Sequence, residues 1–75
     1  MKSNVFMAKL KLLNKNIDWL VTEMAKVGEK TTRSTIYKKL RGESEFTAGE
    51  IKTISQVMEL SPDETMDIFF AELVS

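Results

Sequence analysis

Apolar residues recur along this chain at the spacing of short amphipathic helices. Phe6, Leu10 and Leu13 lie at positions i, i+4 and i+7, which places them on one face of a first helix. Either Ser3 or Asn4 can cap its start, because both side chains accept hydrogen bonds from free backbone N–H groups. The pattern therefore predicts a helix that starts near residue 3 or 4.

A polar cluster at residues 14–16 ends the first helix, and its last residue, Asn16, can cap a second one. The apolar face of this second helix repeats at i, i+4 and i+7 with Leu20, Met24 and Val27. Gly28 follows, and glycine is the residue best suited to a left-handed helix C-terminus. We therefore expect the second helix to stop near Val27.

The third predicted helix is short and mostly polar. A polar turn at residues 29–31 precedes it, and Thr32 can cap a helix over Arg33 to Arg41. Only Ile36 and Leu40 are spaced to be buried. Most of this helix is therefore expected to face solvent or a partner.

The fourth helix has the clearest start signal in the chain. Thr47 and Glu50 have the spacing of a capping box, and Phe46 and Ile51 that of a hydrophobic staple. Its buried face is predicted to consist of Ile51, Ile54 and Met58.

A second capping box, Ser61 to Glu64 with Pro62 at the first helical position, opens the fifth helix. Its predicted apolar stripe is Met66, Phe69, Phe70 and Leu73, with Ile68 and Val74 outside it. No segment alternates with period two. The predicted fold is therefore all-α, with about five short helices around one core in a single domain over residues 1–75.

Composition narrows the chemistry that the chain can perform. It contains no cysteine and no histidine, which excludes disulfides, thiolate nucleophiles, imidazole bases and the common zinc sites. Asp63, Glu64 and Asp67 have the spacing to bind a hard cation, but helix capping and the helix dipole already account for them. We predict no enzyme activity, no metal and no cofactor.

The distribution of charge also bears on location. Charged residues at the N-terminus interrupt any signal-peptide core, and no run approaches the roughly 20 apolar residues of a membrane span. We therefore expect a cytoplasmic protein with no membrane partner.

The formal net charge of zero hides a strong separation of charge along the chain. Residues 1–41 carry ten Lys and Arg against three Asp and Glu, a net charge of +7. Residues 42–75 carry one Lys against eight Asp and Glu, a net charge of −7. We call these segments the basic half and the acidic half. One interpretation is that the halves pair with one another, and another is that the basic half binds nucleic acid.

The third helix carries the pattern that favours nucleic acid. Ser34, Lys38 and Arg41 lie at i, i+4 and i+7, opposite the buried stripe. Cations and hydroxyls on one exposed helix face suit the DNA major groove, where they can donate to base edges and phosphates. Arg33, at the front of the helix, is the best candidate for a base contact. The alternative is that the hydroxyls only cap the helix and the cations only match its C-terminal dipole.

Within this pattern, individual roles follow from position. Thr32 and the free N–H groups of the first turn can hold a phosphate oxygen. Lys30, Lys39 and Arg41 flank the exposed face and are predicted phosphate ligands.

Three stretches resemble a known family: Trp19 to Met24, Thr32 to Gly42, and Phe46 to Ile51. They are similar to small phage Cro-type and C-repressor-type helix-turn-helix regulators of the lambda-repressor-like fold. The resemblance covers nearly the whole chain and is most specific between Arg33 and Gly42. It implies a sequence-specific transcriptional regulator of phage or prophage origin, a Cro-like repressor whose partner is double-stranded operator DNA.

The resemblance also implies a recognition helix at Thr32 through Leu40. Its base-facing positions would be Arg33, Ser34, Tyr37 and Lys38, and Asn16 and Ile17 would lie where the family often touches a phosphate. The complete set of predicted DNA-binding residues is Asn16, Ile17, Lys30, Thr32, Arg33, Ser34, Thr35, Tyr37, Lys38, Lys39 and Arg41.

Two features depart from that family. Thr32 lies twelve residues after Leu20, where the family's tight turn would give seven, so helix two and the turn are predicted to be longer. The recognition helix is followed by Glu43 and Glu45, where family members often carry basic or amide residues. Phosphate would repel these carboxylates unless they turn away or cap the fourth helix.

Apolar surface on the fifth helix leaves two further alternatives open. Residues Ile68, Phe69, Phe70, Leu73 and Val74 can belong to the core, or they can form a homodimer or partner contact. The resemblance favours a homodimer. The acidic, amphipathic C-terminal half also fits an antirepressor that binds a second phage regulator.

Overall fold

The computed structural model describes residues 1–73, and this part of the chain is helical with no strand. The helices are α1 Ser3–Leu12, α2 Ile17–Lys26, α3 Arg33–Leu40, α4 Ala48–Val57 and α5 Pro62–Phe69, followed by a short 3₁₀ turn at Ala71–Leu73. The prediction of an all-α fold with five short helices is confirmed.

Side-chain caps fix the starts of α2 and α3. Asn16 accepts a hydrogen bond from the Trp19 backbone N–H at 2.9 Å. Thr32 accepts one from the Thr35 N–H at 3.1 Å. Each such cap typically contributes about 1 kcal/mol. Both caps were predicted and are confirmed.

Reciprocal capping boxes start α4 and α5. Thr47 and Glu50 exchange side chain-to-backbone hydrogen bonds at 3.1 and 2.8 Å. Ser61 and Glu64 do the same at 3.1 and 2.9 Å, with Pro62 as the first helical residue. These two predictions are also confirmed. A capping box can be predicted from sequence because it is encoded within four consecutive residues.

The start of α1 differs from the expectation that Ser3 or Asn4 caps it. Ser3 is the first helical residue, and no side chain caps the helix. Instead, the Ser3 hydroxyl donates to the Leu40 carbonyl at the end of α3. The Lys2 N–H donates to the Ile68 carbonyl in α5 at 2.8 Å. Contacts with distant helices therefore anchor α1, and a local pattern does not encode them.

Left-handed residues end the first four helices. Gly28 has φ +90° and Gly42 has φ +84°, and each closes its helix with paired bonds of the Schellman type. Asn14 and Glu59 adopt the same conformation with φ 59° and 54° after α1 and α4. A Cβ makes this conformation costly, so Glu59 stands where glycine is favoured.

The core draws on all five helices. Its buried members are Phe6, Leu10, Ile17, Leu20, Met24, Ile36, Ile54, Met58, Ile68 and Phe69. Three aromatic rings, Phe6, Phe46 and Phe69, meet within it with centroids 5.5 to 6.2 Å apart. Helix α2 packs against both α3 and α4, while α5 packs against α1 and α4.

Three predicted core positions are wrong. Val27 is 62% exposed because α2 ends one residue earlier, at Lys26. Leu73 is 77% exposed because α5 ends at Phe69, before the stripe reaches it. Met66 is also exposed, and the buried residue of that turn is Ile68, which had been placed outside the stripe.

None of the helices within residues 1–73 combines the length and the apolar character that a bilayer crossing requires.

Opposite substitutions at two helix ends should change stability in opposite directions. Gly28→Ala places a Cβ on a left-handed residue and should lower the free energy of unfolding by about 1 kcal/mol. That Cβ meets no atom within 4 Å, so the loss reports backbone strain alone. Glu59→Gly should raise the free energy of unfolding by a similar amount, and urea denaturation measures both. Two changes of the same sign would contradict this account.

Candidate nucleic-acid interface

Helix α3 presents its polar residues outward, as predicted. Ile36 is completely buried, whereas Ser34, Lys38 and Arg41 are exposed. Tyr37 and Thr35 lie half-buried beside this face, and Thr32 is exposed at its N-terminal end. Within α3 the exposed residues are Arg33, Ser34 and Lys38, so one face of the helix is open to solvent.

The long connection before α3 is an ordered turn. Helix α2 stops at Lys26, so residues 27–32 join the two helices, and the predicted extension through Val27 is one residue too long. Glu29 reaches from this turn to the first turn of α4, where its carboxylate lies against Gly49. The helix dipole favours a carboxylate at that position. Lys30, next in the chain, is exposed.

Arg33 stands between two helices. Its Nη1 atom lies 3.6 Å from Oδ2 of Asp18 on α2, and its Cζ atom lies 5.8 Å from the centroid of the Tyr37 ring. Both charged side chains remain about two-thirds exposed. The guanidinium is therefore oriented by its neighbours yet open to solvent.

Lys39 was predicted as a phosphate ligand, but its side chain does not lie on the exposed face of α3. Its Nζ atom lies 2.6 and 2.7 Å from the two carboxylate oxygens of Glu50 on α4. The two side chains are only 12% and 11% exposed. The ammonium also lies 5.8 Å from the centroid of the Phe46 ring. Lys39 thus ties α3 to α4, a pairing over eleven residues that no local pattern indicates.

Glu50 is held ionised at this junction. Burial by itself raises its pKa, but hydrogen bonds from the Lys39 ammonium and the Thr47 N–H outweigh burial. The net result is a pKa below the ordinary value for glutamate. The same carboxylate therefore pairs with Lys39 and completes the capping box of α4.

The side chain of Ile17 is also unavailable as a DNA contact. It is 2% exposed and belongs to the core, so only its backbone N–H faces the start of α2. Asn16, in contrast, is exposed as predicted. Lys15 lies beside it with Nζ 5.4 Å from the Trp19 ring centroid. Sequence reasoning missed Lys15, although a lysine preceding a helix cap is a signal that could have identified it.

Arg41 is exposed but partly neutralised. Its Nε atom forms an ion pair with Glu43 at 2.5 Å. Glu43 was expected to turn away or to cap α4, and the cap of α4 is instead made by Thr47 and Glu50. A phosphate would therefore have to compete with this carboxylate for Arg41.

Ion pairs join the basic half to the acidic half. Lys2 pairs with Asp67 at 2.7 Å, and Lys9 pairs with Glu64 at 3.0 Å. The N-terminal ammonium, Lys39 and Arg41 likewise meet carboxylates of the acidic half. The interpretation that the two halves pair with one another is thus supported for these cations. These pairs also engage Glu64 and Asp67, two of the acids that had been considered for a cation site.

Part of the basic half keeps an unneutralised surface. Within residues 1–73, no carboxylate forms an ion pair with Lys11, Lys15, Lys30 or Lys38. Lys15 precedes the cap of α2, Lys30 lies in the connection before α3, and Lys38 lies on α3. We call Asn16, Arg33, Ser34 and Lys38, together with Lys15 and Lys30, the α3 surface.

Burial removes two residues from the partner contact that was predicted on α5. Ile68 is 1% exposed and Phe69 is also buried, so both serve the core and cannot form a partner surface. Phe70 is half-buried and Leu73 exposed, and Val74 lies outside the described residues. Phe70 also lines an open groove of about 470 Å³ between α4 and α5.

Comparison of this chain with models of protein families, with curated proteins and with solved structures gave no match.

Removing the carboxylate of Glu50 should destabilise the fold strongly. Glu50→Ala leaves the Lys39 ammonium unpaired in a largely buried place and deletes half of a capping box, so we expect a loss of about 3 kcal/mol. Chemical denaturation measures it. Glu64→Ala is the matched control, because Glu64 has the same capping role and pairs with Lys9 but is 40% exposed. Equal losses in the two variants would show that burial of the Lys39–Glu50 pair adds nothing.

The same ion pair should make stability depend on pH. Because folding lowers the pKa of Glu50, its contribution is complete above the ordinary glutamate value of about 4.3 and is lost as pH falls through the lower folded value. The stability difference between the wild-type chain and Glu50→Gln should therefore shrink on going from pH 7 to about pH 3. Urea denaturation midpoints at the two pH values measure the effect, and an unchanged difference would contradict it.

Proposed function

We propose that this chain is a sequence-specific double-stranded-DNA-binding transcriptional regulator, in which α3 enters the major groove. The observation that carries the proposal is the exposed, largely unneutralised α3 surface on a helix whose opposite side is anchored to the core. A helix of this kind fits a major groove about 12 Å wide, where Arg and Lys donate to guanine O6 and N7. Arg33, Ser34 and Lys38 are the residues proposed to meet base edges.

Residues outside α3 are proposed to contact the phosphates. Lys15 and Lys30 carry no ion pair within residues 1–73, and Asn16 is exposed at the start of α2. Cations of this kind displace counterions from DNA and supply affinity that is independent of sequence and sensitive to salt. They fix the orientation of the protein while α3 reads the bases.

The finer assignment is a Cro-like repressor of phage or prophage origin that occludes a promoter. Its support is the resemblance carried by residues 32–42, together with the all-helical fold and the outward face of α3. A homodimer would place two copies of α3 about 34 Å apart on a two-fold operator. Phe70 and Leu73, which follow α5, are the described members of the predicted partner contact that remain open to such a contact.

A second candidate is an antirepressor that captures another regulator. The open groove between α4 and α5 favours it, because its lining includes the apolar side chains of Ile51, Leu60, Pro62, Met66 and Phe70. An amphipathic helix of a partner protein is the usual occupant of such a groove.

Substitutions on the α3 surface should separate base reading from general attraction. Arg33→Ala should cost about 1–3 kcal/mol in binding to a preferred duplex and much less on random DNA, because it removes a base contact. Lys15→Ala should weaken binding to both duplexes similarly and reduce the salt slope by about 1, because it removes a phosphate contact. Fluorescence anisotropy across a salt series, with preferred duplexes selected from a random library, measures both effects.

Lys52 supplies the matched control for this experiment. It is an exposed lysine on α4 in the acidic half, and Lys52→Ala should leave DNA affinity unchanged. Lack of binding by the wild-type chain at low salt would refute the regulator proposal. A stable protein partner recovered without DNA would favour the antirepressor in its place.

A further inference from the structure

Asp18 is an acidic residue at the edge of a surface proposed to bind a polyanion. It lies in the first turn of α2, and its carboxylate faces Arg33 of α3 across the helix pair. A carboxylate at this place opposes the general attraction of the α3 surface for phosphate. Asp18 nevertheless lies beside Arg33, the principal candidate for base reading.

The distance between the two groups is informative. Nη1 of Arg33 and Oδ2 of Asp18 are 3.6 Å apart, which is an ion-pair contact but too long for a hydrogen bond. The five N–H donors of the guanidinium are thus not consumed by Asp18. Asp18 therefore balances the charge of the Arg33 guanidinium, while the N–H donors of Arg33 stay available to another acceptor.

Tyr37 restricts the same guanidinium from a second side. It lies one turn after Arg33 on α3, and the Cζ atom of Arg33 is 5.8 Å from its ring centroid. This distance falls within the range of a cation–π contact. Arg33 is therefore held between a carboxylate on α2 and an aromatic ring on its own helix.

A neighbouring carboxylate affects the possible DNA ligands of Arg33 unequally. A phosphate carries a full negative charge and is repelled by Asp18, and this repulsion offsets part of its attraction to the guanidinium. Guanine O6 and N7 are neutral acceptors, for which the geometry of the donors matters more than the net charge of the site. Asp18 therefore penalises phosphate more than it penalises guanine.

We propose that Asp18 is a positioning residue that biases Arg33 toward guanine and away from phosphate. The proposal rests on the DNA-binding function proposed above and names the chemistry that its principal side chain selects. Asp18 itself touches no base. It acts through Arg33, by holding the guanidinium in one place and by lowering its attraction for the DNA backbone.

The structure also allows this pair to be changed without loss of the fold. Both side chains are about two-thirds exposed, and exposed ion pairs contribute little to stability. Asp18→Asn should therefore leave the urea denaturation midpoint close to that of the wild-type chain. The functional effect can then be measured on a folded protein.

The test compares affinities for a preferred duplex and a scrambled duplex across a salt series, with preferred sites selected from a random library by the wild-type chain. Asp18→Asn should raise affinity for scrambled DNA and lower the ratio of the two affinities by roughly three- to tenfold. The salt slope on scrambled DNA should steepen by about 1, because Arg33 becomes free to contact a phosphate. Asp18→Glu should restore much of the ratio.

Glu23→Gln is the matched control. Glu23 lies on the same helix and pairs with Lys26 at 2.6 Å, so this variant removes the same charge without affecting Arg33. Its affinity ratio should equal that of the wild-type chain. In an Arg33→Ala background, Asp18→Asn should no longer change the ratio, because the residue through which it acts is missing.

The outcomes separate the two proposals. If the wild-type chain discriminates between the duplexes but Asp18→Asn leaves the ratio unchanged, the role of Asp18 is refuted and the DNA-binding proposal stands. An equal gain on both duplexes, or a matching change in Glu23→Gln, would reduce Asp18 to a general repulsive charge and likewise overturn the inference. If the wild-type chain fails to discriminate, both proposals fall together.

Discussion

The ion pair between Lys39 and Glu50 is the constraint on which the placement of α3 depends. One carboxylate receives the ammonium of α3 and also closes the capping box of α4, so the start of one helix and the orientation of the other share a single group. Ile36 is the only fully buried residue of α3, and Tyr37 and Leu40 pack partly buried against the core beside it. The buried Lys39–Glu50 pair adds a second anchor for α3 beside its short apolar stripe. With that side of the helix fixed, the opposite face points outward.

Separated charge along the sequence becomes neutralised charge in the folded chain, but unevenly. Pairs such as Lys2–Asp67 and Lys9–Glu64 bring the two halves together where α1 meets α5. Lys15, Lys30 and Lys38, in contrast, form no ion pair within residues 1–73. A charge separation that reads as a simple dipole in the sequence thus serves two purposes, docking of the halves in one region and an open basic surface in another.

Most of the local architecture could be predicted from the sequence, because caps and helix ends are encoded within a few neighbouring residues. Examples are the helix caps at Asn16 and Thr32 and the capping boxes that start at Thr47 and Ser61. The errors concern distant contacts or helix lengths. Lys39 was misplaced because its partner lies eleven residues away, and Leu73 because α5 ends before the apolar stripe reaches it. Of the candidate site, the exposed face was predictable, whereas the involvement of Asp18 required the packing of α2 on α3.

Residues on the two sides of α3 differ in how strongly a substitution would disturb the fold. Ile36 and Lys39 hold the helix. The side chains of Ser34 and Lys38 are exposed, and the exposed side chain of Arg33 faces Asp18 and Tyr37. Outward positions of this kind can be exchanged without disturbing the scaffold. Natural or designed substitutions at these positions can therefore change what α3 is able to contact, while the inward residues keep the helix in place.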